Sequence, residues 1–249
     1  MKDLQLKVLR NEPLSHNTWL MELEGGPVVD LLKPGHFVMM RSWKSLDPLG
    51  RRAFAVADAT ESSFTIMYQV VGRATALLSQ VREGEEVSVL APLGKGLFST
   101  EGDKHLLVGG GIGMAGLTFL GKKLIRMGKE VLVAYGARTK RELALLHWLK
   151  REGFEVLLYT EDGSEGKKGS VVDVLDYVDS TWTVHACGPV GMLRAIKNRS
   201  AGRRVFLSLE ARMACGWGVC LGCVVGKEKG GYARVCYEGP VFEASEVVL

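Results

Sequence analysis

Four cysteines crowd into residues 215–236 of this 249-residue chain, spaced Cys215-x4-Cys220-x2-Cys223-x12-Cys236. For four thiols to meet, three must lie on one tight loop and the fourth on a segment that returns to it. Gly216, Gly218 and Gly222 fall between the ligands, so the backbone is free to wrap a bound group and aim N–H groups at the sulfurs. The x4/x2 triplet is the spacing of [2Fe–2S] ligand loops. A structural zinc ion also takes four cysteines, although its knuckles favour two C-x2–4-C pairs. The fifth cysteine, Cys187, stands apart in His185-Ala186-Cys187-Gly188-Pro189, as inert packing or as part of a nicotinamide pocket. An odd total, so clustered, argues against a disulfide framework and for metal or redox chemistry.

The chain ahead of the cysteines has two textures. Residues 3–92 predict six short strands, Leu4–Leu9, Thr18–Glu24, His36–Arg41, Arg52–Ala57, Phe64–Val70 and Glu86–Leu90, with one helix at Ala74–Val81. Gly/Pro/Asp clusters punctuate them, which suits a small antiparallel barrel. From residue 105 strands alternate with helices. Strands at 105–108, 130–135, 154–159, 183–187 and 205–207 are separated by helices at 115–127, 140–152, 171–177 and 190–198. That alternation predicts a parallel doubly wound sheet. The expected division is a barrel over 1–98, an α/β domain over 99–209 and a small cysteine module over 210–249.

The charge of +4 is too small, and its basic pairs too isolated, for a nucleic-acid footprint. The longest uncharged run, Leu106 to Gly121, carries six glycines and falls short of a spanning helix. With no apolar leader after Met1, a soluble cytoplasmic protein is expected. The five histidines are scattered without metal-ligand spacing, and no nucleophile triad or carboxylate pair emerges.

Glycine, at 31 residues, is in excess of the usual ~7%. Part of the excess lies in Val108-Gly109-Gly110-Gly111-Ile112-Gly113-Met114-Ala115-Gly116, which leaves a strand and opens a helix. There Gly109, Gly111 and Gly113 let backbone approach a pyrophosphate at a helix N-terminus. No acid follows the second strand directly. Glu161 and Asp162, after the third, suit the ribose of NAD(H), whereas Arg138 suits the extra phosphate of NADP(H); the balance favours NAD(H), with Cys187, Gly188 and Pro189 beside it. In the barrel, Arg52-Ala53-Phe54-Ala55 and Gly72-Arg73-Ala74-Thr75 offer a guanidinium, an aromatic edge and a helix-opening turn to a flavin diphosphate.

Barrel Arg-x-Phe, Gly-x-x-Thr, Gly-Gly-Gly-Ile-Gly, Cys-Gly-Pro and four terminal cysteines, in that order, resemble the ferredoxin–NADP reductase superfamily. The stretches Glu210–Cys223 and Arg234–Phe242 resemble, within it, the electron-transfer subunits of class 1B dihydroorotate dehydrogenases. The resemblance covers nearly the whole chain. It implies FAD between the barrel and the nucleotide domain, held by Arg52, Ala53, Phe54, Ala55, Gly72, Arg73 and Thr75. It implies a [2Fe–2S] cluster on Cys215, Cys220, Cys223 and Cys236. It also implies an FMN-containing catalytic partner in a heterotetramer, with electrons passing from FMN through the cluster and FAD to NAD+ in pyrimidine biosynthesis. Three residues depart from the family motifs: Ala53 stands where a proline is usual, Ala55 where a serine is usual, and Gly116 where a proline is usual. A subunit of another redox complex, of bifurcating ferredoxin or sulfide dehydrogenase type, and a zinc-stabilised docking module are the competing readings.

Overall fold

The computed structural model describes residues 1–200 and 202–249. Strands β1 (Lys2–Pro13), β2 (Thr18–Glu24), β3 (Phe37–Arg41), β4 (Arg52–Ala59), β5 (Ser63–Gln69) and β6 (Glu86–Leu93) close into a barrel in the order β1-β2-β5-β4-β3-β6. Alternate residues point inward, as the pleat requires. Leu6 and Val8, Met21 and Leu23, Val38 and Met40, Phe64 and Ile66, and Val87 and Val89 fill the interior. Helix α1 (Arg73–Leu78) crosses between β5 and β6.

The second body contains strands β7 (Lys104–Gly110), β8 (Glu130–Ala137), β9 (Val156–Thr160), β10 (Lys167–Lys168), β11 (Thr183–Cys187) and β12 (Val205–Ser208). Its helices are α2 (Ala115–Arg126), α3 (Leu146–Arg151) and α4 (Val190–Asn198). After them come a two-stranded sheet of β13 (Val224–Gly226) and β14 (Tyr232–Arg234), and then β15 (Val241–Glu243). The main sheet runs β10-β9-β8-β7-β11-β12-β15. Helix α2 is bolted to the barrel: Thr118 Oγ1 donates to the Ala57 carbonyl at 2.6 Å, and Lys122 Nζ bridges Asp58 at 2.7 Å and Glu152 at 2.5 Å.

Three expectations are corrected. The sheet is mixed, because β15 pairs antiparallel with β12, Leu207 opposite Phe242. The helix expected at 140–152 breaks into a 3-10 turn at Lys140–Glu142 and the short α3. Leu143 and Leu145 between them turn into the core, and the Leu145 amide donates to the Tyr135 hydroxyl. The stretch Val171–Tyr177 is 3-10 rather than α-helical, and its Val171 packs over Gly136, leaving no room for a Cβ there.

The segment after residue 210 is stitched into both neighbours rather than appended to them. Beyond β15, its Pro240 bridges Gly96 in the interdomain connector. The Lys95 amide donates to the carbonyls of Tyr237 at 3.0 Å and Gly239 at 2.9 Å.

Two fully buried histidines meet under this sheet, His105 of β7 and His185 of β11, with Nδ1 of the first 3.0 Å from Nε2 of the second. His105 Nε2 donates to the Gly102 carbonyl, so its Nδ1 accepts from His185 Nε2–H, and His185 Nδ1 is left unpartnered. The His185 ring stacks on Phe206 and takes the edge of Phe98. Burial, then the charges of His105 and Arg204, pushes its pKa down to about 3. The folded imidazole stays neutral where the unfolded one, near 6.5, takes a proton. Stability from this group is therefore full above pH 6.5 and is lost as pH falls toward 3, at up to about 1.4 kcal/mol per unit. His185→Phe, which keeps the stack, is expected to flatten the loss between pH 6.5 and 4.5 in denaturant titrations. An unchanged slope would assign the acid sensitivity elsewhere.

Candidate functional site

The larger cleft, about 790 Å³, lies between the barrel and α2 and falls in the range of cofactor pockets. All seven expected flavin residues line it: Arg52, Ala53, Phe54, Ala55, Gly72, Arg73 and Thr75. Their roles divide. Arg52 Nη1 donates to the carbonyls of Leu49, Gly50 and Arg51, so it braces the preceding loop as well as facing the cleft. Arg73 pairs with Asp47 of the same loop at 2.5 Å. Thr75 Oγ1 accepts from the amides of Val71 and Gly72 and donates to the Gly72 carbonyl, which fixes the turn. A Cβ on Gly72 would meet nothing within 4 Å, so this turn presents bare backbone to the cleft.

Two of the departures from the family motifs, Ala55 and Gly116, meet each other. A Cβ at Gly116 would lie 3.6 Å from the Ala55 Cβ and 3.4 Å from Cys187 Sγ. Small residues on both walls thus leave the buried Cys187 thiol facing the cleft. Burial, then the charge of Glu210, pushes that thiol up to about 12, outweighing a Ser208 hydrogen bond; it is a neutral, inert wall.

A second cleft, about 660 Å³, opens over the C-terminal ends of β7, β8 and β11, where open α/β sheets bind ligands. Gly111, Gly113, Gly188 and Pro189 line it, as expected, together with Gly110. Gly109 does not; it is a packing glycine, where a Cβ would strike Met114 at 2.5 Å. Asp162 does not line it either. Its carboxylate is exposed and holds the amide and hydroxyl of Ser164. The charged groups in the cleft are Arg138, Arg141, Glu142 and, at its seam with the larger cleft, Glu210; Arg138 is forked onto Glu142 at 2.6 and 3.1 Å. The carboxylate at this end is therefore Glu142, which arrives four residues beyond Arg138 rather than directly after a strand.

Four residues belong to both clefts: Gln69 from the end of β5, Ile112, Gly113, and Glu210 just past β12. They mark the seam where two bound cofactors would touch. Glu210 was not legible as a site residue. It opens into a recess where its carboxyl is poorly hydrated, which raises its pKa. Past it, Ala211, Arg212 and Met213 complete the wall of the larger cleft and lead directly to Cys215.

The four cysteine thiols are all free. They fall into two pairs in hydrogen-bond contact, Cys215 with Cys220 and Cys223 with Cys236. Backbone amides point at the sulfurs: Gly218 N–H donates to Cys236 Sγ at 3.1 Å, Cys236 N–H to Cys223 Sγ at 3.4 Å and Cys220 N–H to Cys215 Sγ at 3.5 Å. At Cys215 burial opposes ionisation, but the amides of Cys220 and Trp217, with the Cys220 thiol, outweigh it and bring the thiol down to about 6. At Cys236 burial dominates and the neighbouring thiol adds to it, pushing the pKa up to about 12. Among the described residues no three His, Cys, Asp or Glu side chains gather as a single-ion site. Two thiol pairs, each with its own amides, suit a two-iron cluster better than one tetrahedral zinc.

Residues 210–248 match the iron–sulfur cluster binding domain of dihydroorotate dehydrogenase B. An electron transfer subunit homolog of dihydroorotate dehydrogenase B (NAD(+)) from Aquifex aeolicus is 50% identical over 250 residues, covering 100% of both chains. The electron transfer subunit of a Geobacillus species is 39% identical over 257 residues, again covering 100% of both. Among solved structures, an NADH-dependent reduced ferredoxin-NADP oxidoreductase superposes with a TM-score of 0.85 at 28% identity, covering 98% of this chain and 89% of the other. A ferredoxin NADP+ reductase from Neisseria gonorrhoeae, at 14% identity and a TM-score of 0.65, shares the fold alone, over 80% of this chain and 90% of the other.

A closed barrel, a nucleotide-type sheet and a cleft between them define a flavoprotein-reductase fold, here carrying an iron–sulfur binding segment. Within that class the chain belongs to the electron transfer subunit family of dihydroorotate dehydrogenase B.

Proposed function

We propose that this chain links a dihydroorotate-oxidising catalytic subunit to NAD+. In this reading Cys215, Cys220, Cys223 and Cys236 hold a [2Fe–2S] cluster, the larger cleft holds FAD and the second holds NAD(H). A flavin exchanges electrons singly or as hydride, and that conversion is the chemistry it supplies. The protein's part is to place the groups. The observation that carries the reading is the run from Glu210 to Cys215, which is the seam of both clefts at one end and the first cluster ligand at the other.

The partner in this proposal is an FMN-containing catalytic subunit in a heterotetramer, acting in pyrimidine biosynthesis in the cytoplasm. Trp217, Val219, Leu221 and Val224 of the cysteine segment and Tyr232 beside it are exposed apolar residues, a face that suits such a subunit. No helix among the described residues is long and apolar enough to cross a membrane. In the second cleft, Glu142 neutralises Arg138 and adds a carboxylate that would repel an extra phosphate, which supports NAD over NADP.

The test is co-purification with the partner followed by NADH oxidation with and without orotate. An FMN-bearing partner and orotate-dependent oxidation are expected. Orotate-independent oxidation with a [4Fe–4S] partner would replace this reading by the bifurcating type, and a colourless zinc protein after anaerobic reconstitution would remove the redox reading altogether.

A further inference from the structure

Arg234, on β14, reaches back into the cysteine loop. Its Nη1 donates to the Gly218 carbonyl at 2.8 Å. The rest of the guanidinium is occupied by Glu238: Nε lies 3.0 and 3.1 Å from its two oxygens, Nη2 bonds Oε1, and the Arg234 amide donates to Oε2 at 2.7 Å. The guanidinium also lies 4.4 Å from the centroid of the Tyr237 ring. Tyr237 in turn fills the space beside Gly218, where a Cβ would come within 3.0 Å of it, and its hydroxyl accepts from Lys95 Nζ at 2.7 Å. Arg234 is therefore held from several sides, with one donor aimed at the ligand loop.

The carbonyl it bonds is that of Gly218, whose own N–H donates to Cys236 Sγ at 3.1 Å. Fixing the carbonyl holds that N–H on the sulfur and brings a positive charge beside the loop. Glu238 sits on the far side of the guanidinium, so the ion pair is a dipole with its positive end toward the loop. A cluster gains one negative charge on reduction, and donors to its sulfurs together with nearby positive charge favour that form.

We infer that Arg234 is a positioning residue that raises the reduction potential of the bound cluster by holding Gly218, and with it the amide on Cys236, in place and by setting a positive charge beside the loop, and that Glu238 limits the rise. The inference rests on the two-iron reading above. No ligand is added or removed; the side chains set how readily the cysteine-held group accepts its electron.

The two substitutions carry opposite signs, which a loosened loop would not produce. The experiment is an anaerobic redox titration of the flavin- and cluster-loaded protein followed by EPR, with iron and acid-labile sulfide measured in each sample. R234Q is expected to lower the midpoint. At the potential that half-reduces the parent cluster, the reduced-to-oxidised ratio falls on the order of tenfold, about 59 mV for one electron. R234K, which keeps the charge but not the fork, lies between. E238Q keeps the Gly218 bond and frees the positive charge, so its midpoint rises. If R234Q does not take up iron, R234K and E238Q still decide the matter. Midpoints that do not move, or that all move the same way at full iron content, overturn the inference. A parent protein without a two-iron EPR signal overturns the cofactor reading instead, and this inference with it.

Discussion

Cys223→Ser is expected to reduce orotate-dependent NADH oxidation by the complex to background while NADH still bleaches the flavin at close to the parent rate. Cys223 is 3% exposed and accepts the Cys236 amide, so it belongs to the buried thiol pair. A serine oxygen is a harder, more basic ligand that reaches less far, and the soft thiolate is what iron–sulfur sites select. Neither cleft is lined by Cys223, and the seam residues Gln69, Ile112, Gly113 and Glu210 lie outside its loop. The two activities therefore separate. Stopped-flow bleaching of the flavin by NADH reports one side of the seam, and steady-state turnover with the partner reports the other. Equal loss of both in a folded, flavin-loaded variant would contradict the order partner, cluster, flavin, nucleotide.

The candidate site was legible in the sequence where each motif is a local event. Four cysteines on one loop and its return, glycines between a strand and a helix, and Arg52 at a strand start need only a few neighbouring residues to be read. The structure gathers all seven residues expected at a flavin on one cleft and pairs the four thiols. What stayed hidden depends on contacts between distant segments. Asp162 follows a strand, as a ribose acid does, yet its loop turns it toward Ser164, while Glu142 enters the cleft through its pairing with Arg138. Gly109 lies in the same glycine run as Gly111 but faces Met114. Glu210 has no motif of its own, and its importance comes from where β12 ends relative to two clefts. The edge strand β15 is three residues long and was invisible because its partner lies more than 30 residues earlier.

Gly113→Ala is the substitution expected to do most damage for one added carbon. The new Cβ would lie 2.5 Å from the Cys187 carbonyl oxygen, 2.6 Å from its carbon and 2.7 Å from the Gly188 nitrogen. All three are backbone atoms of the turn between β11 and α4, so no side chain can rotate aside. The turns after β7 and β11 must separate, and both line the nucleotide cleft. Overpacking of this kind costs about 1–3 kcal/mol. At roughly 2–4 °C per kcal/mol for a chain of this size, a melt followed by circular dichroism resolves it. The affinity for NADH is expected to fall on the order of tenfold, or about 1.4 kcal/mol, because the two turns no longer meet at the spacing a pyrophosphate needs. Gly116→Ala is the matched control. Its Cβ meets Cys187 Sγ at 3.4 Å and Ala55 at 3.6 Å, near ordinary contact, and in the first turn of α2 alanine is a better helix former than glycine. The control is expected to melt no lower than the parent. Should both variants behave alike, the close approach of the two turns is not what fixes the nucleotide cleft; should only Gly113→Ala lose stability and affinity together, one contact between two glycine turns holds both the sheet and the site.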